Sequence, residues 1–214
     1  MDSKICYVFG AGERSDCDIS LAADDLVIAA DGGFDYLEQL GLRGDYVLGD
    51  FDSVLSYDLP SDCIRYPKEK DDTDMMLAVK LGLEKGYLEF VIYGGLGGRL
   101  DHSLANIQTL AYLAEHGAAG TLYASDYAIR VVTNGTVSFS KDLPENVPGN
   151  LRSIFSLSDT STSVTIHGLK YEAESITLTN SFPLGISNEF TGKKAYAHVE
   201  KGTIAVLWYL PHKD

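Results

Sequence analysis

Tyr46-Val47-Leu48-Gly49-Asp50-Phe51-Asp52-Ser53 decides how this chain is read. An apolar, β-rich run stops at a glycine and is followed by two carboxylates. That is the pattern of a buried strand delivering Asp50 and Asp52 at its C-terminal end, because residues two apart in extended backbone share a face. No Lys or Arg stands between them, so the two aspartates repel when both are ionised. A divalent cation neutralises such a pair. Hard carboxylate oxygens suit magnesium, which then bridges to phosphates. Read without a metal, the same residues make a polar turn after a strand, where Gly, Asp and Ser are common.

The same punctuation recurs on both sides. Residues 4–9 are an apolar run ending at Gly10-Ala11-Gly12-Glu13, and residues 25–30 are another ending at Asp31-Gly32-Gly33. The first turn lacks the third glycine of a dinucleotide fingerprint, which argues against a nicotinamide site. Its bare backbone still admits a phosphate, and it reads equally as a plain tight turn. Residues 34–40 have helical texture, and residues 63–66 are a short candidate strand. Lys70-Asp71-Asp72-Thr73-Asp74 then leads into a helix over 75–84, with Met76, Leu77, Val79, Leu81 and Leu83 at helical spacing. Asp71 or Asp72 is the expected N-cap. Capping explains one acidic residue of this cluster but not three, and Asp74 falls in the first turn, where anions are favoured.

Residues 88–93 form a strand pattern ending in Gly94-Gly95-Leu96-Gly97-Gly98-Arg99-Leu100-Asp101-His102, before a helix over 103–116. A glycine-rich strand-to-helix loop is a natural phosphate cradle, with Arg99 as its fixed positive charge. Asp101 and His102 read also as N-cap and first-turn residues, and Asn106 shares a helical face with His102. In an open parallel sheet, ligands bind at the carboxyl ends of the strands, so the acidic strand ends are expected to converge there.

Near Ser125 the texture changes. Short alternating runs follow at 129–133, 136–140, 153–157, 163–167, 175–179, 194–199 and 203–209, divided by turn residues. Asn134-Gly135 is a hairpin signal, and regularly spaced short strands read as a sandwich or barrel. The run at 203–209 is unusually apolar for an edge strand and is expected in a core or an interface. The expected fold is therefore an open, mainly parallel α/β sheet domain over 1–126 followed by a β-sandwich domain over 127–214.

Bulk composition narrows the function. The chain has 214 residues, 45% hydrophobic and 22% charged, with a formal net charge of −14. Such an acidic chain is a poor non-specific partner for nucleic acid or an anionic membrane. Cys6, Cys17 and Cys63 fit neither a disulfide framework nor a zinc pattern, and a reducing cytoplasm fits them best. No signal peptide and no membrane-spanning run is expected.

Taken in order, Asp31-Gly32-Gly33, Gly49-Asp50-Phe51-Asp52-Ser53, Lys70-Asp71-Asp72-Thr73-Asp74 and Gly98-Arg99-Leu100-Asp101-His102 with Asn106 resemble the thiamin pyrophosphokinase family. Gly168-Leu169-Lys170-Tyr171 and Gly185-Ile186-Ser187-Asn188-Glu189 extend the resemblance into the second half. It implies transfer of pyrophosphate from ATP to thiamin, with Mg2+, by a homodimer whose sites lie at the subunit interface. It implies that Asp31, Asp50, Asp52 and Asp74 hold magnesium. Gly32, Gly33, Lys70, Thr73, Gly98 and Arg99 lie beside the nucleotide, and Asp101, Asn106, Tyr171, Ser187 and Asn188 meet thiamin. The resemblance further implies that Asp50, Asp52, Asp74, Arg99 and Asp101 carry the catalysis. Tyr171 stands where the family often has tryptophan, and a tyrosine ring also stacks on a cation.

The chemistry agrees. Pyrophosphoryl transfer needs in-line geometry and charge stabilisation more than covalent help. Asp101 or Asp74 is open as acceptor of the hydroxyl proton. A cationic substrate suits an acidic pocket. The competing readings are an Asp-x-Asp phosphatase, a nucleotide-sugar transferase, and a non-enzymatic nucleotide-binding regulator. None of these needs both the Gly-Arg-Asp-His loop and the second acidic cluster.

Overall fold

Register places the strand ends of the first half level with one another. The computed structural model describes residues 4–15, 19–51, 59–139 and 151–210. These form two compact units divided between Ser125 and Asp126. In the first unit β1 (Ile5–Phe9), β2 (Leu26–Ala30), β3 (Tyr46–Gly49), β4 (Ile64–Arg65), β5 (Glu89–Tyr93) and β6 (Ala119–Tyr123) pair in parallel, in the order β6-β5-β1-β2-β3-β4. The chain steps outward from β1 to β4, then returns to the other side of β1 as β5. The gap between β1 and β5 is thus the point where strand order reverses, the usual place for a ligand in an open α/β sheet.

Alternation sorts the side chains into two layers. Tyr7, Phe9, Val27, Ala29, Val47 and Tyr93 share one face with Tyr36 and Leu37 of α1 (Gly33–Leu40). The alternate residues Cys6, Val8, Ile28, Leu48, Phe90 and Ile92 are all fully buried. On that face α2 (Asp74–Glu84) comes so near that a Cβ at Gly82 would stand 2.5 Å from the Phe90 ring and 2.8 Å from Cys6 Sγ. Burial pushes the Cys6 thiol up to about 12, so it remains a neutral core group. α3 (Leu100–Glu115) sets Leu110 and Leu113 over Gly120 of β6. That strand has no clear signal in the sequence, because the glycine that admits the helix also interrupts the apolar run.

Two helix starts differ from the sequence reading. Thr73, not Asp71 or Asp72, caps α2: its backbone is extended and its Oγ1 accepts from the Met76 N–H at 3.1 Å. Asp72 instead meets Lys80 Nζ at 2.7 Å. α3 begins at Leu100 rather than residue 103, with Arg99 at the capping position, so Asp101 and His102 lie inside the first turn. Asp52, Ser53 and Cys17 lie outside the described residues.

The second unit holds two antiparallel sheets. One has the order β12 (Gly185–Glu189), β9 (Leu151–Ser156), β14 (Thr203–Tyr209), β7 (Tyr127–Thr133). The other runs β11 (Ala173–Thr179), β10 (Thr160–His167), β13 (Ala195–Lys201), β8 (Thr136–Phe139). Val137, Phe139, Val164, Ile166 and Val199 of one sheet share a buried core with Ile154, Ile204 and Val206 of the other, which makes the unit a sandwich.

Asn134-Gly135 is not a hairpin. It joins β7, which pairs with β14, to β8, which pairs with β13, so it carries the chain between sheets. Gly202 (φ 120°) does the same between β13 and β14. The two corners brace each other: Asn134 N–H donates to Gly202 O at 3.0 Å, and Gly202 N–H donates to Asn134 Oδ1 at 2.9 Å. β14 is flanked on both sides, so its apolar sequence belongs to the core. The edge strand β12 and the loop before it expose Phe182, Leu184 and Ile186. Among the described residues, no helix is long and apolar enough to cross a membrane.

At the β1–β5 gap the backbone itself is packed. Gly10, Gly12 and Glu13 N–H groups donate to Tyr93 O, Gly94 O and Leu96 O at 2.8, 2.7 and 2.6 Å. Gly94 has φ 64°, and a Cβ there would collide with the Gly10 carbonyl, whereas Gly98, with the same φ, has open space around it. Gly98→Ala should therefore cost only the left-handed strain, about 1–2 kcal/mol. Gly94→Ala should add a backbone clash and lose about 3 kcal/mol or more, read by urea unfolding of both variants.

Candidate active site

Three strand ends and two helix starts surround one cleft of about 240 Å³ in the first unit. The loop after β1 lines it with Gly10, Ala11 and Gly12, the end of β2 with Ala30 and Asp31, the start of α2 with Thr73 and Asp74, and the loop after β5 with Gly94, Gly95, Gly97, Gly98 and Arg99. His102, Ala105 and Asn106 of α3 close one side. The backbone N–H groups of Gly10 and Gly12 are committed to the β5 loop, so these glycines serve close packing rather than a phosphate nest. Asn106 is buried, and its Nδ2 donates to Gly95 O at 2.6 Å, tying α3 to the glycine loop.

Carboxylates gather at this edge. Asp31 follows β2 in the left-handed region (φ 49°) and its N–H donates to Leu48 O at 2.7 Å. Gly49 (φ 152°) passes so close that a Cβ would stand 3.0 Å from Asp31 Cα. That approach sets Asp50 beside Asp31, while Asp74 comes from the first turn of α2. One carboxylate oxygen from each of Asp31, Asp50 and Asp74 lies within 4.8 Å of the other two.

Lys70 reaches into the same group. Its ammonium lies 3.1 Å from Asp74 Oδ1 and 3.8 Å from Asp50 Oδ2. Pro67 O accepts from it at 3.2 Å. Three carboxylates gathered round one ammonium make an acidic group of the kind a divalent cation suits. Carboxylate oxygens converging from separate elements are the donor set a hard ion such as magnesium takes.

Arg99 and Asp101 form a two-point pair, with Nη2 to Oδ2 at 2.6 Å and Nε to Oδ1 at 3.2 Å. Both side chains are well exposed, 72% and 65%. The Arg99 guanidinium holds the Asp101 carboxyl below the usual carboxylate range, and the His102 N–H on Asp101 Oδ1 adds to this. Gly32 and Gly33 are buried at the start of α1 and do not line the cleft. A Cβ at Gly33 would run into the Phe9 carbonyl.

The remaining candidate residues lie in the second unit. Tyr171 is 62% exposed and Asn188 5%. Ser187, exposed on β12 with φ 57°, donates its N–H to Ser153 Oγ at 3.1 Å. Lys70 as counter-charge to the aspartates is the feature that sequence reasoning missed. Its only signal was position, four residues before Asp74 and ahead of a helix start.

Comparison with known proteins follows the same division. The family described as "Thiamin pyrophosphokinase, catalytic domain" matches residues 18–121, and "Thiamin pyrophosphokinase, vitamin B1 binding domain" matches residues 133–204. The chain is 30% identical to thiamine pyrophosphokinase of Bacillus subtilis over 189 residues, 85% of this chain and 86% of the relative. It is 27% identical to thiamin pyrophosphokinase 1 of Caenorhabditis elegans over 157 residues, 70% of this chain and 64% of the relative. The crystal structure of the Bacillus subtilis protein superposes with a TM-score of 0.83 at 26% identity, covering 96% of this chain and 99% of that one.

The charge balance makes a stability prediction. Asp50→Asn and Asp74→Asn each remove a charge from a repelling group and also weaken one Lys70 contact. Unfolding free energy should stay within about 1 kcal/mol of the parent, and stabilisation by added Mg2+ should be lost. Lys70→Met should do the reverse, lowering thermal stability without metal and enlarging the Mg2+-induced rise in Tm. Thermal denaturation with and without Mg2+ reads all three variants.

Proposed function

The chain belongs to the thiamin pyrophosphokinase family, and we propose how its own residues perform that family's reaction. The activity is transfer of the pyrophosphoryl group of ATP to the hydroxyl of thiamin, giving thiamin diphosphate and AMP. The observation that carries the assignment of the site is the meeting of Asp31, Asp50 and Asp74, of which Asp31 and Asp74 line the cleft where the strand order reverses. The phosphatase and nucleotide-sugar transferase readings are not favoured, because both halves of the chain match one family.

In this reading Asp31, Asp50 and Asp74 hold Mg2+, joined by Asp52. Bound there, the ion neutralises the carboxylates and spreads the charge of the transferring phosphates. Lys70 leaves Asp74 to meet the phosphate chain. Gly97 and Gly98, with φ of 77° and 64°, leave the start of α3 free of side chains, so a phosphate can approach its N–H groups. Arg99, exposed and on a short tether, exchanges Asp101 for a phosphate, to which its planar fork is matched. Thr73 Oγ1 caps α2 and orients the turn carrying Asp74. Asp74 is engaged by cations, whereas the departure of Arg99 frees Asp101, which makes Asp101 the better placed of the two to accept the hydroxyl proton. A loose transition state needs that transfer only late.

The thiamin end falls to the second unit, where Tyr171 presents an exposed ring to the cationic substrate. A homodimer with sites shared between subunits belongs to the same proposal. Its support is the family resemblance and the exposed Phe182, Leu184 and Ile186 beside edge strand β12. A reducing, cytoplasmic setting fits the free thiols of Cys6 and Cys63.

Product analysis tests the activity: AMP should form from ATP only when thiamin is present. A phosphoenzyme trapped without thiamin would favour the phosphatase instead. Asp50→Asn and Asp74→Asn should lower kcat by about 100-fold or more, and wild-type turnover at limiting Mg2+ would overturn the metal assignment. Arg99→Lys should fall about ten-fold and Arg99→Ala further, since the fork is lost first and the charge second. Sedimentation should give a dimer. Mixing Asp50→Asn with Tyr171→Ala at limiting thiamin should restore activity after subunit exchange, because a mixed dimer then carries one intact site.

A further inference from the structure

We propose that Asn188 is a positioning residue, acting on thiamin only through Tyr171, whose backbone it clamps. The inference rests on the reading above that the Tyr171 ring meets thiamin.

Asn188 sits in β12, almost completely buried. Its Oδ1 accepts from the Tyr171 N–H at 2.9 Å and from the Glu189 N–H at 2.9 Å, and its Nδ2 donates to Tyr171 O at 2.7 Å. A carboxamide offers two lone pairs and two N–H donors, so three of its four hydrogen-bonding positions are committed to backbone. Little is left for a ligand, and none of it is at the surface. Tyr171 is the opposite: its backbone is held at both polar groups and its ring is exposed.

The flanking contacts show what the clamp does. Leu169 bridges Phe190, and the Lys170 N–H donates to Glu189 O at 2.9 Å. The loop therefore runs along β12 as a short added strand, and the Asn188 side chain carries that ladder one residue further, to Tyr171. On the same loop the Lys170 ammonium meets Glu189 Oε1 at 2.6 Å and stands 5.5 Å from the Tyr171 ring centroid. The ring thus stands beside a cation that Glu189 already pairs, and an aromatic face suits the charge type of the thiazolium. A ring fixed before binding gives up less freedom when substrate arrives.

A double-mutant cycle on the full-length enzyme tests this. Tyr171→Ala should raise the thiamin KM about ten-fold, the size of one lost cation–aromatic contact, and leave the KM for ATP unchanged. Asn188→Ala should do the same, with kcat held within about two-fold, a split that general loss of folding would not produce. In Tyr171→Ala, adding Asn188→Ala should change the thiamin KM no further. Multiplying effects would overturn the proposal by showing that Asn188 meets substrate itself. A normal thiamin KM in Asn188→Ala alone would overturn the clamp but leave Tyr171 in place, whereas a normal KM in Tyr171→Ala would overturn both. If Asn188→Ala does not fold, Asn188→Asp completes the cycle. It keeps an acceptor for both N–H groups but sets a second oxygen against Tyr171 O in place of the donor, so its thiamin KM should also rise and be equally silent beside Tyr171→Ala.

Discussion

Three carboxylates that two strand ends and one helix start hold within 4.8 Å of one another are the constraint on which this site depends. At that distance each pair of unit charges repels by about 3 kcal/mol for an effective dielectric near 20. The strands cannot relieve this by moving apart, because Asp31 and Asp50 directly follow paired, buried strands. Lys70 offsets part of the repulsion and leaves the remainder as attraction for a divalent ion. In the proposed reading, the same arrangement that costs stability in the free protein becomes the binding site for a metal and a polyphosphate. The negative net charge of the chain makes such local compensation necessary for any anionic substrate.

Backbone, more than side chain, shapes the cleft. The loops after β1 and β5 are laced by their own peptide groups, and glycine is required where they pass. The glycines at 10, 12 and 97 are packing residues, the last against Glu13, while Gly98 has open space around it at the start of α3. Identical residue type serves two purposes a few ångströms apart. The difference lies in whether the neighbouring N–H groups already have partners.

Irregular backbone in both units is held by asparagine amides. Asn106 binds the glycine loop at Gly95, Asn134 braces the corner at Gly202, and Asn188 clamps Tyr171. Each supplies hydrogen bonds to peptide groups where regular pairing has ended. This side chain is short enough to have few conformations and carries both donor and acceptor, so it can stand in for one rung of a ladder.

Much was legible in sequence order. The acidic strand ends, the glycine-rich loop with Arg99, the period of α2 and the change of texture near Ser125 are local patterns, and local chemistry produces them: buried strands are apolar, turns need glycine, and carboxylates follow where a strand emerges. What only the tertiary structure decided is non-local. Lys70 pairs with aspartates from two elements, Asn134-Gly135 crosses between sheets because β14 and β13 take the pairing that a hairpin would have made, and Asn188 holds Tyr171 from 17 residues away. Residue type states what a group can bond to. Which partner it meets is set by register and packing, which a linear pattern does not contain.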